Sequence, residues 1–547
     1  MSQTREREHQ THQNFMLKPV LVELSWWGVV IRRNIWAGFC FFAIALFCSP
    51  AGTAADSASQ SATPHKTTSH AAVSGAAYAV EEIPVPRGIA PEIGGLGFTP
   101  SGKLVVVTRR SGVLFATPAA DPAKFDWTVF CDQSLHNANG LCVISESELL
   151  VSQMPELTRI RDRNSDGVAD EYETVAPFNL SGAYHEVTAG PAPDGKGGYY
   201  VALNTASHSG FTFEFTRGLF SEVSRRGRNF ASVEHRGWVV HIDSSGVMRP
   251  WAKGFRSPNG IAVDPAGQVW VTDNQGDFRS TNPLYHVEKD KFYGHPSSLV
   301  WDPEYTRIDS KRDPLKQPME DLDAMRTPEA VAFPYGFSRS PAEPVFELTG
   351  GKFGPFAGQM LVGDAAAPRI IRVMLEKVDG AWQGACAEFY SNNGLRNGTN
   401  RMVFSPSGGE LYVGQTMREW AGAMEGLQRI VFKGGRVFEA LAVHIQRDGF
   451  EVEFTESVDA GSGDTVDAFP TEVYGYKYSS SYGSPEEGLR SIVPKSLEWS
   501  NDRTRVRLVY DALLKARVYR ITFSGIASKG EALGHPMVAY TVNRLLP

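Results

Sequence analysis

The sequence predicts an all-β protein, a six-bladed β-propeller followed by a C-terminal β-sandwich, and three observations predict it. One hairpin pattern recurs along the chain with a single polarity, its copies stop near residue 440, and strands continue beyond that point without the repeat. The clearest copy lies in Gly254 to Pro296. There Ile261 and Val263 alternate into the turn Asp264-Pro265-Ala266-Gly267, Val269 and Val271 lead back out, and Asp273-Asn274-Gln275-Gly276-Asp277 follows. Two period-two apolar runs around a Pro/Gly turn make a β-hairpin. A hairpin brings its outer ends together, which sets Arg256 and Asn259 beside Asn274, Gln275 and Asp277.

Leu96 to Thr108, Asn139 to Ser152, His185 to Asn204 and Asn400 to Gln415 share this plan, and a weaker copy without its first strand surrounds Gln359 to Asp364. A blade-sized sheet cannot bury both faces alone, so such repeats pack around an axis, and six copies give six blades. The competing architecture, one β-sandwich, also shows short strands between turns but holds fewer of them.

At 547 residues, 42% hydrophobic and 21% charged, the chain suffices for more than one domain. A net charge of -7 offers no general attraction to phosphate backbones, so no nucleic-acid partner is expected. Residues 1–55 read as a leader, with Arg32-Arg33 before the apolar run Ile35 to Cys48 and small residues ending near Ala54-Ala55. The run is short for a bilayer crossing, which favours a secretory signal over a retained membrane anchor. A periplasmic, cell-envelope or secreted location follows. Residues 56–76, rich in Ser, Thr and Ala, form a flexible linker; 77–440 is the propeller and 441–547 the sandwich.

Cys131, Cys142 and Cys386 follow the leader. In an oxidising compartment the first two either close a short disulfide or leave Cys142 as a buried thiol. No CxxCH is present, so no covalent haem is expected. The loop from Asp162 to Glu173 fits a twelve-position calcium pattern, with oxygens from Asp162, Asn164, Asp166, Asp170 and Glu173, the Val168 carbonyl, and Gly167 at the sharp turn. An acidic surface turn is the alternative. Gly210 to Phe213 and the basic cluster Arg225 to Arg228 read as loop, and residues 303–350 as a polar insertion between blades. After Leu441, strands are expected at Ala442 to His444, Phe450 to Phe454, Val506 to Leu508, Val518 to Phe523 and Met537 to Tyr540. Tyr474, Tyr476, Tyr478 and Tyr482 stack on a ligand or pack one face of a strand.

Hairpins of one polarity gather, on one face, the residues before each first strand and after each return strand. That rule selects His185, Arg256, Asn259, Asn274, Gln275, Asp277, Asn400 and Arg401, with Arg109, Arg110, Asn139, Gln153, Asn204, Asp364 and Gln415. Arginines hold anions and amides read hydroxyls, which suits a polyhydroxylated or carboxylate-bearing ligand. His185 is the candidate general base, with a structural histidine as its alternative, and His295 is a second candidate at the end of a loop.

Gly254-Phe255-Arg256-Ser257-Pro258-Asn259-Gly260-Ile261, Trp270 to Asn274 and Tyr293-Gly294-His295-Pro296 resemble signatures of the soluble quinoprotein glucose/sorbosone dehydrogenase family. His185 with the following Gly190 to Gly195 is similar to that family's catalytic histidine before its GPDG strand. The chain also resembles exported bacterial dehydrogenase-like propellers, often joined to a cytochrome c module, through Asp273 to Asp277, Phe292 to Pro296, Lys352 to Gln359 and Tyr482 to Glu486. The resemblance implies pyrroloquinoline quinone and calcium as cofactors, a sugar or polyol substrate, and a separate electron acceptor such as a cytochrome c. It makes His185 and Arg256 catalytic, and makes Arg256, Asn259, Asn274, Gln275, Asp277, His295, Asn400 and Arg401 the cofactor-binding set. This chain departs from the family at Ser257, where an asparagine helps bind the quinone, and at Tyr184, beside the histidine. The reading is an exported sugar or alcohol dehydrogenase, with a non-catalytic carbohydrate-binding or scaffold propeller as the alternative. A metal-dependent lactonase would need more rim carboxylates than Asp273, Asp277 and Asp364 supply.

Overall fold

The five complete hairpins form, and each grows into a four-stranded antiparallel sheet. In the computed structural model, residues 77–547 are described except 208–216, 220, 222–228, 309–312 and 417–424. The leader, the linker, Gly210 to Phe213 and the Arg225 to Arg228 cluster therefore lie outside the described residues. The first sheet comprises Ile93–Phe98, Leu104–Thr108, Val113–Thr117 and Asp126–Cys131, and the second Leu141–Val143, Glu148–Ser152, Glu156–Arg161 and Glu171–Pro177. The third runs Thr188–Pro193, Tyr199–Leu203, Trp238–Ile242 and Met248–Lys253, and the fourth Gly260–Val263, Val269–Thr272, Asn282–Val287 and Val331–Phe333. The sixth is Thr399–Phe404, Glu410–Gln415 and Gly426–Phe432, completed by the N-terminal strand Tyr78–Glu82.

The weaker copy does have a first strand. Pro341–Phe346 pairs with Met360–Asp364 to start the fifth sheet, which continues through Arg369–Val378 and Ala381–Ser391. Pro341 and Pro344 break the alternation in the sequence, yet an edge strand tolerates proline because its outward amides need no ladder partner. The stretch 303–350 is thus not one insertion between sheets. Its helices Pro303–Ile308 and Met319–Met325 lie between the third and fourth strands of the fourth sheet, and its end is this strand.

The six first strands touch in succession, first sheet to second and onward until the sixth meets the first again. Such close approach requires glycine at two of the seams. A Cβ on Gly140 would lie 1.5 Å from the Gly190 carbonyl oxygen, and one on Gly94 2.0 Å from that of Ala138.

At the centre of this ring lies the fully buried guanidinium of Arg401. Its Nε donates to Gly94 O at 3.2 Å, Nη1 to Asn259 O at 3.0 Å and Asn400 O at 2.7 Å, and Nη2 to Asn139 O at 2.7 Å. Three asparagines interlock around it. Asn259 Nδ2 donates to Asn400 Oδ1 at 3.1 Å, Asn400 Nδ2 to Asn139 Oδ1 at 3.2 Å, and Asn139 Nδ2 to Thr188 O at 2.8 Å. Glu343 of the fifth sheet stands 3.8 Å from Arg401 Nε. Every sheet of the ring therefore contributes a group to one polar hub.

Beyond the ring, Ala440–Gln446, Gly449–Phe454, Arg505–Val509 and Ser496–Trp499 form one sheet, while Met537–Val542, Arg517–Thr522, Thr471–Gly475 and Glu487–Ile492 extend the fifth sheet from Ala381–Ser391. Val443, Phe450, Val452 and Leu508 on one side share an apolar core with Val473, Tyr519, Ile521 and Tyr540 on the other. Burial of these large side chains drives the pairing. Cys131, Cys142 and Cys386 are free thiols, so the short disulfide does not form. Cys131 packs in the core between the first two sheets and Cys142 in that between the second and third, so the two sulfurs face different interiors.

Two outcomes test these interactions. Replacing Arg401 by Leu orphans carbonyls of several sheets and should lower unfolding stability by about 3 kcal/mol or more, read by denaturant melts. His535, buried with Nδ1 2.8 Å from Glu439 Oε1 and Nε2 3.5 Å from Glu388, has a raised pKa because the two carboxylates outweigh the burial that opposes its charge. Its stabilising contribution should be complete below the unfolded value of about 6.5 and fade as pH rises through the folded value. The stability gap between the native chain and His535→Gln should narrow accordingly in melts from mildly acid to alkaline pH.

Candidate functional site

The third and fourth sheets present His185, Thr205, Arg256, Ser257 and the Asp273 to Asp277 turn at one edge, as the hairpin polarity requires. His185 lies just before the Thr188–Pro193 strand, in a segment braced by the fully buried Arg236, which donates to Asn179 O at 2.8 Å and Glu186 O at 2.8 Å. Its Nδ1 is 2.9 Å from the Thr205 carbonyl oxygen and its Nε2 3.1 Å from Ser257 Oγ. A carbonyl only accepts, so Nδ1 carries the proton and Nε2 accepts the hydrogen bond of the serine hydroxyl. Burial, then the charge of Arg256, pushes the imidazole pKa down to about 4. The ring is therefore neutral at physiological pH with a lone pair on Nε2. Tyr184, 57% exposed, lies edge-on to it at 6.0 Å between ring centroids.

Ser257 is held on both sides. Its backbone amide donates to Asp273 Oδ1 at 2.7 Å, and Asn204 Nδ2 approaches its Oγ at 3.5 Å. The same Asp273 accepts from the Arg256 amide at 2.8 Å and from Arg279 Nε at 2.9 Å. The Arg256 guanidinium forms a buried pair, Nε to Asp277 Oδ1 at 2.7 Å. Asp277 Oδ2 lies 3.3 Å from His295 Nε2, and His295 Nδ1 2.8 Å from Ser297 Oγ. Burial acts to raise the Asp277 pKa, but Arg256 and His295 overcome it and hold the carboxyl far below its usual range. Burial also lowers the pKa of His295, against the pull of Asp277.

His185 and Arg256 thus share one site, joined through Ser257 and Asp273. Asn274 braces it, its Nδ2 donating to Ser257 O at 3.0 Å, and Gln275 supplies a carbonyl 3.4 Å from Arg256 Nη1. Asn259, Asn400 and Arg401 are also brought together, but with one another in the axial hub. His295 is sealed behind Asp277. Ser257 is the partner that motif reading passed over, although it adjoins Arg256; there it registered only as a departure from a family pattern. Tyr482, 68% exposed, covers Arg256 with its ring centroid 5.4 Å from the guanidinium carbon. Nothing local in the sequence signals that contact. Of the four clustered tyrosines, Tyr474 is buried in its strand and Tyr482 alone is exposed on this side.

The expected calcium loop lies at the opposite edge, where the Asp162 amide donates to Ser147 O in the first turn of the second sheet. Its oxygens are turned to the backbone. Asp162 accepts from the amides of Ser165 at 2.7 Å and Gly167 at 2.8 Å, Asn164 from Asp166 at 2.9 Å, Asp166 from Val168 at 2.9 Å, and Asp170 from Arg163 at 2.9 Å. Glu173, the twelfth position, sits on a strand and pairs with Arg161 at 3.0 Å. Among the described residues no three His, Cys, Asp or Glu side chains converge to hold a metal ion. Asp162, Asn164 and Asp166 make Asx-type contacts to amides two to five residues on, and Asp170 accepts from the Arg163 amide across the loop.

An NHL repeat model matches residues 255–276, the hairpin that carries Arg256 and Asp273. No curated protein matches the chain. Among solved structures, the chain is similar to the PQQ domain of a pyranose dehydrogenase from Coprinopsis cinerea, at 15% identity over 65% of this chain and 97% of that one, with a TM-score of 0.44. An aldose sugar dehydrogenase from Streptomyces coelicolor matches at 13% identity over 65% and 98%, with a TM-score of 0.42. A Trichoderma reesei carbohydrate-active enzyme of family AA12 matches at 11% identity over 65% and 96%, with a TM-score of 0.47.

Proposed function

We propose that the chain is an exported oxidoreductase of the sugar-dehydrogenase type, a six-bladed β-propeller over 77–440 with a C-terminal β-sandwich over 441–547, that oxidises a sugar or related alcohol. One observation carries this reading. His185 is neutral, its Nδ1 proton is held by a backbone carbonyl, and its Nε2 accepts from an alcohol oxygen, here that of Ser257. A substrate hydroxyl presented to the same nitrogen gives up its proton there while the adjoining carbon passes hydride to an external two-electron acceptor of the quinone class. Electrons would pass on to a separate carrier such as a cytochrome c, and the leader expected over residues 1–55 supports a periplasmic or cell-envelope location.

The implied quinone is a tricarboxylate, and the side chains expected to hold it are otherwise engaged. Arg256 is matched by Asp277, and Asn259, Asn400 and Arg401 satisfy one another around the axis. The donor set does not fit that cofactor, and the proton step at His185 stands without it. These spent cations favour a second reading, a polyol-binding scaffold of the envelope that performs no chemistry.

Dye reduction by the purified protein against a panel of sugars and polyols, with and without pyrroloquinoline quinone and calcium, separates the two. Sugar-dependent reduction is expected, and His185→Ala should lower it by about 100-fold or more. Undiminished turnover in that variant would remove His185 as the base, and no reduction under any condition would leave only the scaffold. The Arg256–Asp277 pair has its own test. Arg256→Met and Asp277→Asn should each cost about 3 kcal/mol in unfolding, with the double variant well short of their sum, because each single change strands a buried charge.

A further inference from the structure

We infer that Ser257 is a nucleophile activated by His185, and that this edge of the molecule carries a metal-free acyl-transfer activity toward carboxylic esters. The inference goes beyond the oxidoreductase reading and does not depend on it. It rests on three contacts in line: Ser257 Oγ to His185 Nε2 at 3.1 Å, His185 Nδ1 to Thr205 O at 2.9 Å, and Asn204 Nδ2 to Ser257 Oγ at 3.5 Å. A nucleophile, a base and a group that orients the base are the parts such chemistry needs.

The direction of the proton distinguishes this set from a simple strut. Because the Thr205 carbonyl fixes the Nδ1–H tautomer, the serine proton must lie on the line to Nε2, and the oxygen lone pairs point away from the ring. Asp273 clamps the Ser257 amide and so fixes where Oγ stands. Asn204 is buried, and its Oδ1 has no hydrogen-bond partner among the described residues. Its Nδ2 donor is directed at Oγ itself, so Asn204 steadies the nucleophile and leaves Oδ1 as an unpaired acceptor beside it.

In the reaction, Oγ bonds to the ester carbonyl carbon as its proton passes to Nε2 and the carbonyl π pair moves onto oxygen. Collapse of the tetrahedral species breaks the bond to the alkoxy oxygen, which leaves with the proton from Nε2. Water then attacks the acyl-serine by the same route, releasing the acid and restoring Ser257 and His185. The groups facing His185 are Arg256, which with burial weakens the base, and Asp273 and Asp277, which act in the opposite sense. A weak base with a strongly acidic conjugate favours esters with good leaving groups over amides, and keeps the base form at all pH values well above 4.

The test uses the full chain, a fluorophosphonate probe and 4-nitrophenyl acetate. The folded protein should take one phosphonyl group at Ser257, located by peptide mass spectrometry, and the heat-unfolded protein none. Labelling should fall at least tenfold in His185→Ala, and acetate release should be lost in Ser257→Ala. No adduct on the folded chain, an adduct elsewhere, or unchanged acetate release in Ser257→Ala would overturn the inference. Should Ser257→Ala not fold, the position of the adduct on the native chain decides. Dye reduction by the same preparation is a separate readout: labelling without it sinks the oxidoreductase reading alone, and reduction without labelling sinks this inference alone.

Discussion

One buried guanidinium at the axis governs much of what surrounds it. Removing Arg401 from water is costly, and the cost is offset only because carbonyls from Gly94, Asn139, Asn259 and Asn400 converge on its fork at hydrogen-bonding distance. That convergence fixes the register of the first strands, since a shift of one residue would turn the wrong face of each carbonyl row inward. It also fills the space through which an axial ligand would pass. The proposed site lies off-axis, in the sector where the third and fourth sheets meet.

In that sector two electrostatic problems are solved by one hairpin. Arg256 is buried and needs a counter-charge, which Asp277 provides; the amides of Arg256 and Ser257 need acceptors, which Asp273 provides. With its charge balanced by Asp277, Arg256 still lies close enough to His185 to disfavour the imidazolium. The histidine is kept neutral by its surroundings, and the tautomer by a backbone carbonyl. A side chain so constrained is tuned to receive a proton at one nitrogen only.

Local pattern made the hairpins legible, because alternation and turn residues are properties of neighbours in sequence. The first strand of the fifth sheet escaped for the same reason, its Pro341 and Pro344 erasing the alternation while its edge position removes the penalty. Polar residues were harder. Hairpin polarity puts Asn259, Asn400 and Arg401 on one face, but whether an amide faces a ligand or another amide depends on partners more than a hundred residues away. In the Asp162 loop the side-chain oxygens of Asp162, Asn164 and Asp166 each accept a backbone amide of the loop itself, a contact that spacing alone does not reveal. Ser257 was visible only as a substitution, since its meaning lies in the imidazole it meets.

The C-terminal region bears on the site through a short segment. Ser479 accepts from the Phe278 amide at 3.1 Å, the Gly483 amide donates to Gly276 O at 2.9 Å and that of Ser484 to Ser280 O at 2.8 Å, so the segment is laced to the loop that carries Asp277. Tyr478 adds a bond from its hydroxyl to Gly294 O, next to His295. With Tyr482 laid over Arg256, water is kept from the ion pair, and a pair shielded in this way is stronger than one at the surface. The continuous sheet from Ala381–Ser391 into Met537–Val542 anchors this region at its base. The charge state of His185 is thereby tied to residues distant in the chain, for a chain cut before Tyr474 would expose Arg256 and Asp277 to solvent and screen the field that helps keep the imidazole neutral.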